Sequence, residues 1–205
     1  MVSIRKISSL LSVPVLAWSL MPFQAAARDT LCDNLSPDYM TSLNGPLDWQ
    51  EDRLRLTETT TFTRRGAYFN NPVSSHGNIE LEFTVHSYGG KHGNNETRQG
   101  DGFAIVFSDA EVEPQIGARG ASMGYAQMVL PSRGIYQTGF EGGYMGIALD
   151  EYGMFSQASE GRYLGNGAKR NSVAVRGRGE GFFGYAYLTG TGKLDVPLEF
   201  NEAGQ

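Results

Sequence analysis

Two aspartates at the ends of apolar runs are the residues best placed to do chemistry in this chain. Asp101 stands just before Gly-Phe-Ala-Ile-Val-Phe (102–107), and Asp150 closes Gly-Ile-Ala-Leu-Asp (146–150). A carboxylate at the end of a buried strand sits where the sheet meets water. It offers only acceptors, which suits the neighbouring hydroxyls of a sugar or a hard cation. Between the two acids lies a Gly-rich stretch, Gly-Ala-Arg-Gly-Ala-Ser-Met-Gly-Tyr-Ala-Gln (117–127). Glycines there permit close approach of backbone to a ligand. Together these features predict a shallow binding site for sugar or metal at the rim of a β-sandwich. The plainer alternatives are a turn cap for Asp101 and an ordinary loop for 117–127.

The elements that must position these residues read as strands. Residues 53–57 alternate polar and apolar, as a half-buried strand does. Residues 78–86 alternate throughout, which places Ile79, Leu81, Phe83 and Val85 toward the core. Residues 103–107 and 144–149 are continuously apolar and predict strands covered on both faces. Residues 172–176 alternate again, and 182–188 predict one more strand. Polar, Gly- and Asn-rich residues 88–100 predict a loop, and 114–143 is a long Gly-containing stretch. No segment has an apolar stripe of helical period and length. The prediction is an all-β sandwich or jelly roll.

The first 27 residues predict a secretory signal peptide, with an N-terminal membrane anchor as the alternative. Arg5 and Lys6 give the positive start, 7–23 is mostly apolar, and Ala25-Ala26-Ala27 offers a cleavage site. Cleavage there leaves 28–205 as a single exported domain, in the periplasm, at the cell surface or outside the cell. No later segment reaches the ~20 apolar residues of a membrane span, so no membrane insertion is expected after cleavage. A net charge of −5 argues against nucleic acid as a partner. An apolar fraction of 40% argues against disorder. The single cysteine, Cys32, excludes an internal disulfide, and Asp29-Thr30-Leu31 before it lacks the small residues of a lipoprotein signal. The 27 glycines fall in clusters without a fixed period, which excludes a solenoid or collagen repeat. His76, His86 and His92 show no metal spacing, and Asn95-Glu96-Thr97 is a glycosylation sequon.

The order of these segments, with Ser159-Glu160-Gly161-Arg162 and Asn-Ser-Val-Ala-Val-Arg-Gly (171–177) after them, resembles the legume (L-type) lectins. It is closer to a bacterial branch of concanavalin A-like domains in large surface proteins. That branch includes the Q-type protein of the mannose-sensitive haemagglutinin (MSHA) pilus biogenesis cluster. The resemblance covers about 53–191. It implies a concanavalin A-like jelly-roll β-sandwich and a glycan as partner. By the resemblance, Asp101 accepts hydrogen bonds from two sugar hydroxyls, and the 100–101 peptide is cis in many members. Gly120 and Ala121 match the positions that lend backbone N–H groups to the sugar, Ala121 where the family often has Gly. Tyr125 is a candidate to cover an apolar sugar face. The same holds for Tyr136, Tyr144, Tyr152 and Tyr163, with core packing as the alternative for each.

Asp150 matches the family's calcium-ligating Asp. Ala148 replaces the Glu that serves a transition metal in plant members, so that second metal site is expected to be absent. Met154 replaces the Asn that touches calcium and sugar together, and a thioether suits calcium poorly. Calcium, which takes six to eight oxygens, would then need Asp150, Glu160 and backbone carbonyls. For Glu151 and Glu160 a solvated or ion-paired acid is the alternative. Family members continue past 187–191 with further strands, whereas this chain ends in a polar, Pro-containing tail at 196–205. It is therefore expected to lack the C-terminal strands, as a fragment of a longer reading frame would.

The expected function is a non-enzymatic, exported carbohydrate-binding module of a surface or pilus-associated adhesin. The alternatives are a structural sandwich without ligand and a concanavalin A-like glycoside hydrolase. Hydrolysis needs two carboxylates flanking one bond. Glucanases of this fold place them at alternating positions of one strand, but Asp150 and Glu151 are adjacent and point to opposite faces.

Overall fold

The computed structural model describes residues 2–3, 37–50, 53–87 and 100–192. Cys32, the loop at 88–99 with its sequon, the tail at 196–205 and all of the expected signal peptide except Val2–Ser3 lie outside these residues. Among the described residues the chain is all-β, with antiparallel ladders. The first strands are β1 (Val2–Ser3), β2 (Met40–Leu43), β3 (Asp48–Gln50), β4 (Arg53–Arg55), β5 (Gly66–Phe69), β6 (Thr84–Val85) and β7 (Gly102–Ser108). Then come β8 (Met128–Leu130), β9 (Ile135–Gln137), β10 (Gly143–Asp150), β11 (Ser172–Arg176), β12 (Gly179–Glu180), β13 (Phe183–Gly184) and β14 (Tyr187–Gly190). Among the described residues, helical structure is confined to two three-residue 3₁₀ turns, Gly120–Ser122 and Pro131–Arg133.

The sheet that positions both aspartates has the order β14-β11-β10-β7. Asp150 lies opposite Gly102 on one side and Ser172 on the other, so Asp101 and Asp150 share one end of the sheet. Pairing of Ala148 with Ala104 and Ala174 puts small residues in a row on one face. Large rings fill the space above that row. Tyr125, Phe140, Phe155 and Tyr185 form the core cluster with Ala148 and Ala174, and the Tyr125 and Tyr185 rings meet edge-on, with centroids 5.3 Å apart. The core therefore lies between the sheet and its long loops. A methyl group on Gly146 would come within 2.4 Å of Tyr125 Cδ1, at the root of a ring that cannot swing away. Gly146→Ala is expected to cost about 1–3 kcal/mol by overpacking. An unchanged denaturant midpoint would show that the ring has room.

The opposite face departs from the expectation of full cover. Phe103, Ile105, Phe107, Met145, Ile147, Leu149, Val173 and Val175 are all only half-buried. Among the described strands β7 is an edge of its sheet, and beside it runs an open cleft of 1630 Å³ lined by Phe83, Phe103, Ile105 and Phe107. Phe83 covers Phe103 at 5.9 Å between ring centroids. The alternation at 78–86 yields only β6, and Ile79 and Leu81 are exposed (46% and 42%). Residues 78–83 have no ladder partner among the described strands, and alternation without a partner does not make a strand. The strand expected at 53–57 is β4, with Leu54 buried, and that expected at 172–176 is β11. The one expected at 182–188 is split into β13 and β14, because Gly184 and Tyr185 take positive φ (84° and 50°) and turn the Tyr185 ring into the core. Val2 pairs with Leu54 and Val85, so residues of the expected signal peptide join β4 to β6.

Candidate functional site

Asp101 is fixed through its backbone. Its carbonyl accepts the N–H groups of Glu151 (3.1 Å) and Tyr152 (3.3 Å), which laces the start of β7 to the chain leaving β10. Gly102 has φ +139°, and a Cβ there would strike the Leu149 carbonyl at 2.1 Å, so only glycine follows Asp101 in this geometry. The peptide before Asp101 is not cis, contrary to what the resemblance implies; cis bonds are absent among the described residues.

The Gly-rich stretch folds over the same end of the sheet. Gly117 donates to the Gly124 carbonyl (2.6 Å), Gly124 to Ala118 (2.8 Å) and Ala118 to Ala126 (3.1 Å). From outside, the Arg64 guanidinium holds the Gly117 carbonyl at 2.5 Å. At the tip, Gly120 (φ +63°) opens the 3₁₀ turn Gly120–Ser122, which no side chain caps. The first N–H groups of such a turn have no partner within it. A Cβ on Gly120 would lie 3.9 Å from an Asp101 carboxylate oxygen. The structure thus brings Asp101 and Gly120 together. Ala121 is buried, so it can offer only its backbone.

Tyr125 is corrected by the structure. It is fully buried (0%), packs on Gly146 and donates its hydroxyl to the Gly177 carbonyl at 2.8 Å. Burial pushes its pKa up. A ring in that position is core and cannot meet a glycan. Tyr136, Tyr144 and Tyr163 are exposed, while Tyr152 lies against the Arg170 guanidinium (5.4 Å).

Asp150 and Glu160 were the expected calcium ligands. Asp150 is fully buried, and both its oxygens are engaged. They accept N–H groups of Gly153 (2.7 Å), Phe155 (2.8 Å) and Ser156 (3.3 Å), and the Ser156 hydroxyl (3.4 Å). Burial raises its pKa, and these hydrogen bonds pull against that. Glu160 is held by Arg162 at 2.9 Å. No group of three His, Cys, Asp or Glu side chains comes together among the described residues.

Two buried arginines fill the loop between these acids. Arg176 directs all five of its hydrogen bonds to backbone carbonyls, those of Phe155 (2.9 Å), Tyr163 (2.9 Å), Tyr185 (2.7 Å), Gln157 (3.1 Å) and Leu164 (3.4 Å). Its pKa is lowered to about 10, by burial and then by Arg162, so it keeps its charge at neutral pH. Arg162 reaches the Gln157 (3.4 Å) and Met154 (3.3 Å) carbonyls, the Ser159 (2.8 Å) and Ser122 (3.0 Å) hydroxyls, and Glu160. Hydrogen-bond donors and two positive charges already stand among these oxygens, which opposes a cation there.

Glu151 leaves the strand beside Asp101. Burial is the main cause that raises its pKa to about 7; Asp101 and Asp150 add to the rise, and a hydrogen bond from Ser87 opposes it. Its Oε2 is buried without a hydrogen-bond partner. Sequence reasoning missed both arginines and this proton. Arg176 had a legible signal, since it shares the inward face of β11 with Ser172 and Ala174. No protein-family model matches this chain, and no curated protein and no solved structure matches it.

Proposed function

We propose that this chain is an exported, non-enzymatic carbohydrate-binding module of a bacterial surface or pilus-associated adhesin. The observation behind the proposal is the meeting of the Asp101 carboxylate with Gly120 at the sheet end, 3.9 Å from where a Cβ would stand. An acceptor-only carboxylate beside the uncapped N–H groups of a tight turn offers complementary partners to a hydroxyl pair. Such a site is shallow, and glycine at 120 keeps it open. Screening on a glycan array followed by titration tests this reading. Asp101→Asn is expected to weaken the binding found by about 10- to 100-fold, the worth of a hydrogen bond to a charged group. Equal affinity of wild type and variant would remove Asp101 from the site.

A hydrolase would use Glu151 as the protonated acid beside Asp101. The Oε2 of Glu151 is buried and Ser87 hydrogen-bonds the same carboxyl, which argues against that. Absence of reducing-sugar release is the expected result. The inward use of Asp150 and Glu160 favours a second reading, a structural sandwich without ligand. A folded chain that is silent across the array would support it.

A further inference from the structure

We infer that the Arg162 and Arg176 guanidinium groups are the built-in cations of this rim, so that it takes its shape without calcium. The inference rests on the glycan reading only for what the rim binds; the clamp stands on geometry alone. A buried loop whose carbonyls converge needs either a metal or a set of aimed donors. Here the two side chains supply ten hydrogen bonds. A planar guanidinium suits that task because its five N–H groups point outward in a fixed fork. A calcium ion entering the loop would have to displace one of them and would face the charge of the other.

The clamp also reaches the proposed sugar contacts. Arg162 donates to the Ser122 hydroxyl, which itself donates to the Gln127 carbonyl at 2.9 Å. Gln127 donates from its side chain to the Gly161 carbonyl (2.6 Å), and Val129 N–H bonds the Glu160 carbonyl (2.8 Å). The turn that faces Asp101 and the loop that holds Asp150 are therefore tied together by hydrogen bonds. Arg162 is a positioning residue for the rim.

The first test is thermal unfolding of the purified chain in millimolar calcium and in chelator. The expected result is a Tm difference within about 1 °C, whereas calcium bound at a hundredfold excess over Kd would raise Tm by about 5–10 °C. That rise would overturn the inference. Arg162→Lys keeps the charge but loses the fork, and should lower Tm by about 4–8 °C in both media. A wild-type melt for this variant would equally overturn it. Should Arg162→Lys not fold, Ser122→Ala removes the link to the turn alone. It should reduce glycan affinity several-fold while Tm falls by only a few degrees, and unchanged affinity would sink the positioning role. If the wild-type chain binds no glycan, the functional reading fails, and the two melts alone decide the clamp.

Discussion

Asp150→Ala is expected to lower stability by about 3–5 kcal/mol, read as a lower denaturant midpoint at unchanged slope. The substitution strands the N–H groups of Gly153, Phe155 and Ser156 and the Ser156 hydroxyl inside the protein. A buried donor left without an acceptor costs about 1–3 kcal/mol, and water entering the vacated space returns part of the sum. Arg176 loses its nearby negative charge as well. Asp150→Asn should cost less, about 1–3 kcal/mol, because one oxygen still accepts while the new NH₂ faces donors. The result separates two roles for this acid. If Asp150 served chiefly to hold calcium, Asp150→Ala in chelator would melt like the wild type in chelator. If it organises the loop, the loss is the same with calcium and without.

That contrast shows what kind of information the sequence held. Residues 146–150 and 172–176 were legible as strands, because an apolar or alternating run bounded by turn residues has few other solutions. The meeting of Asp101 with the Gly-rich stretch was legible through the order of segments, with Gly102 and Gly120 as backbone requirements. Which acids face inward was not. Asp150 looks like a rim carboxylate in the sequence, but the loop after it turns three N–H groups back onto it. The turn begins with positive φ at Gly153 (93°), and only that glycine signals it in the sequence. Residues 78–83 failed in the opposite way. Their alternation is complete, but a strand also needs a neighbour to take its hydrogen bonds, and local pattern does not report one. Tyr125 failed for a related reason. Its ring is inward because Gly146 and Gly143 leave a hollow under it, some twenty residues away in the chain.

The proton on Glu151 should make stability fall as pH rises, with a difference between pH 5 and pH 8 of at most about 3 kcal/mol. Burial is the first cause of the raised pKa, and Asp101 and Asp150 add their repulsion. The group titrates near its ordinary 4.5 when unfolded and at about 7 when folded. Between those values the native chain holds a proton that the unfolded chain has released. Its contribution to stability is therefore full below about 4.5 and is lost as pH climbs through 7. Glu151→Gln keeps the shape and removes the charge, so it should match the wild type near pH 5 and exceed it by about 2–3 kcal/mol at pH 8. Asp150 is also raised by burial, against the pull of its hydrogen bonds, so its contribution has the same sign. Tyr125 and Tyr185 are pushed above their ordinary range and Arg176 titrates near 10, so none of them bends the curve between pH 5 and pH 8. Denaturant melts of both proteins across that range check the assignment. A variant that retains the whole wild-type slope would place the proton elsewhere and leave the orphaned Oε2 of Glu151 without this explanation. A flattened curve would mean that the acid beside Asp101 is neutral below pH 7.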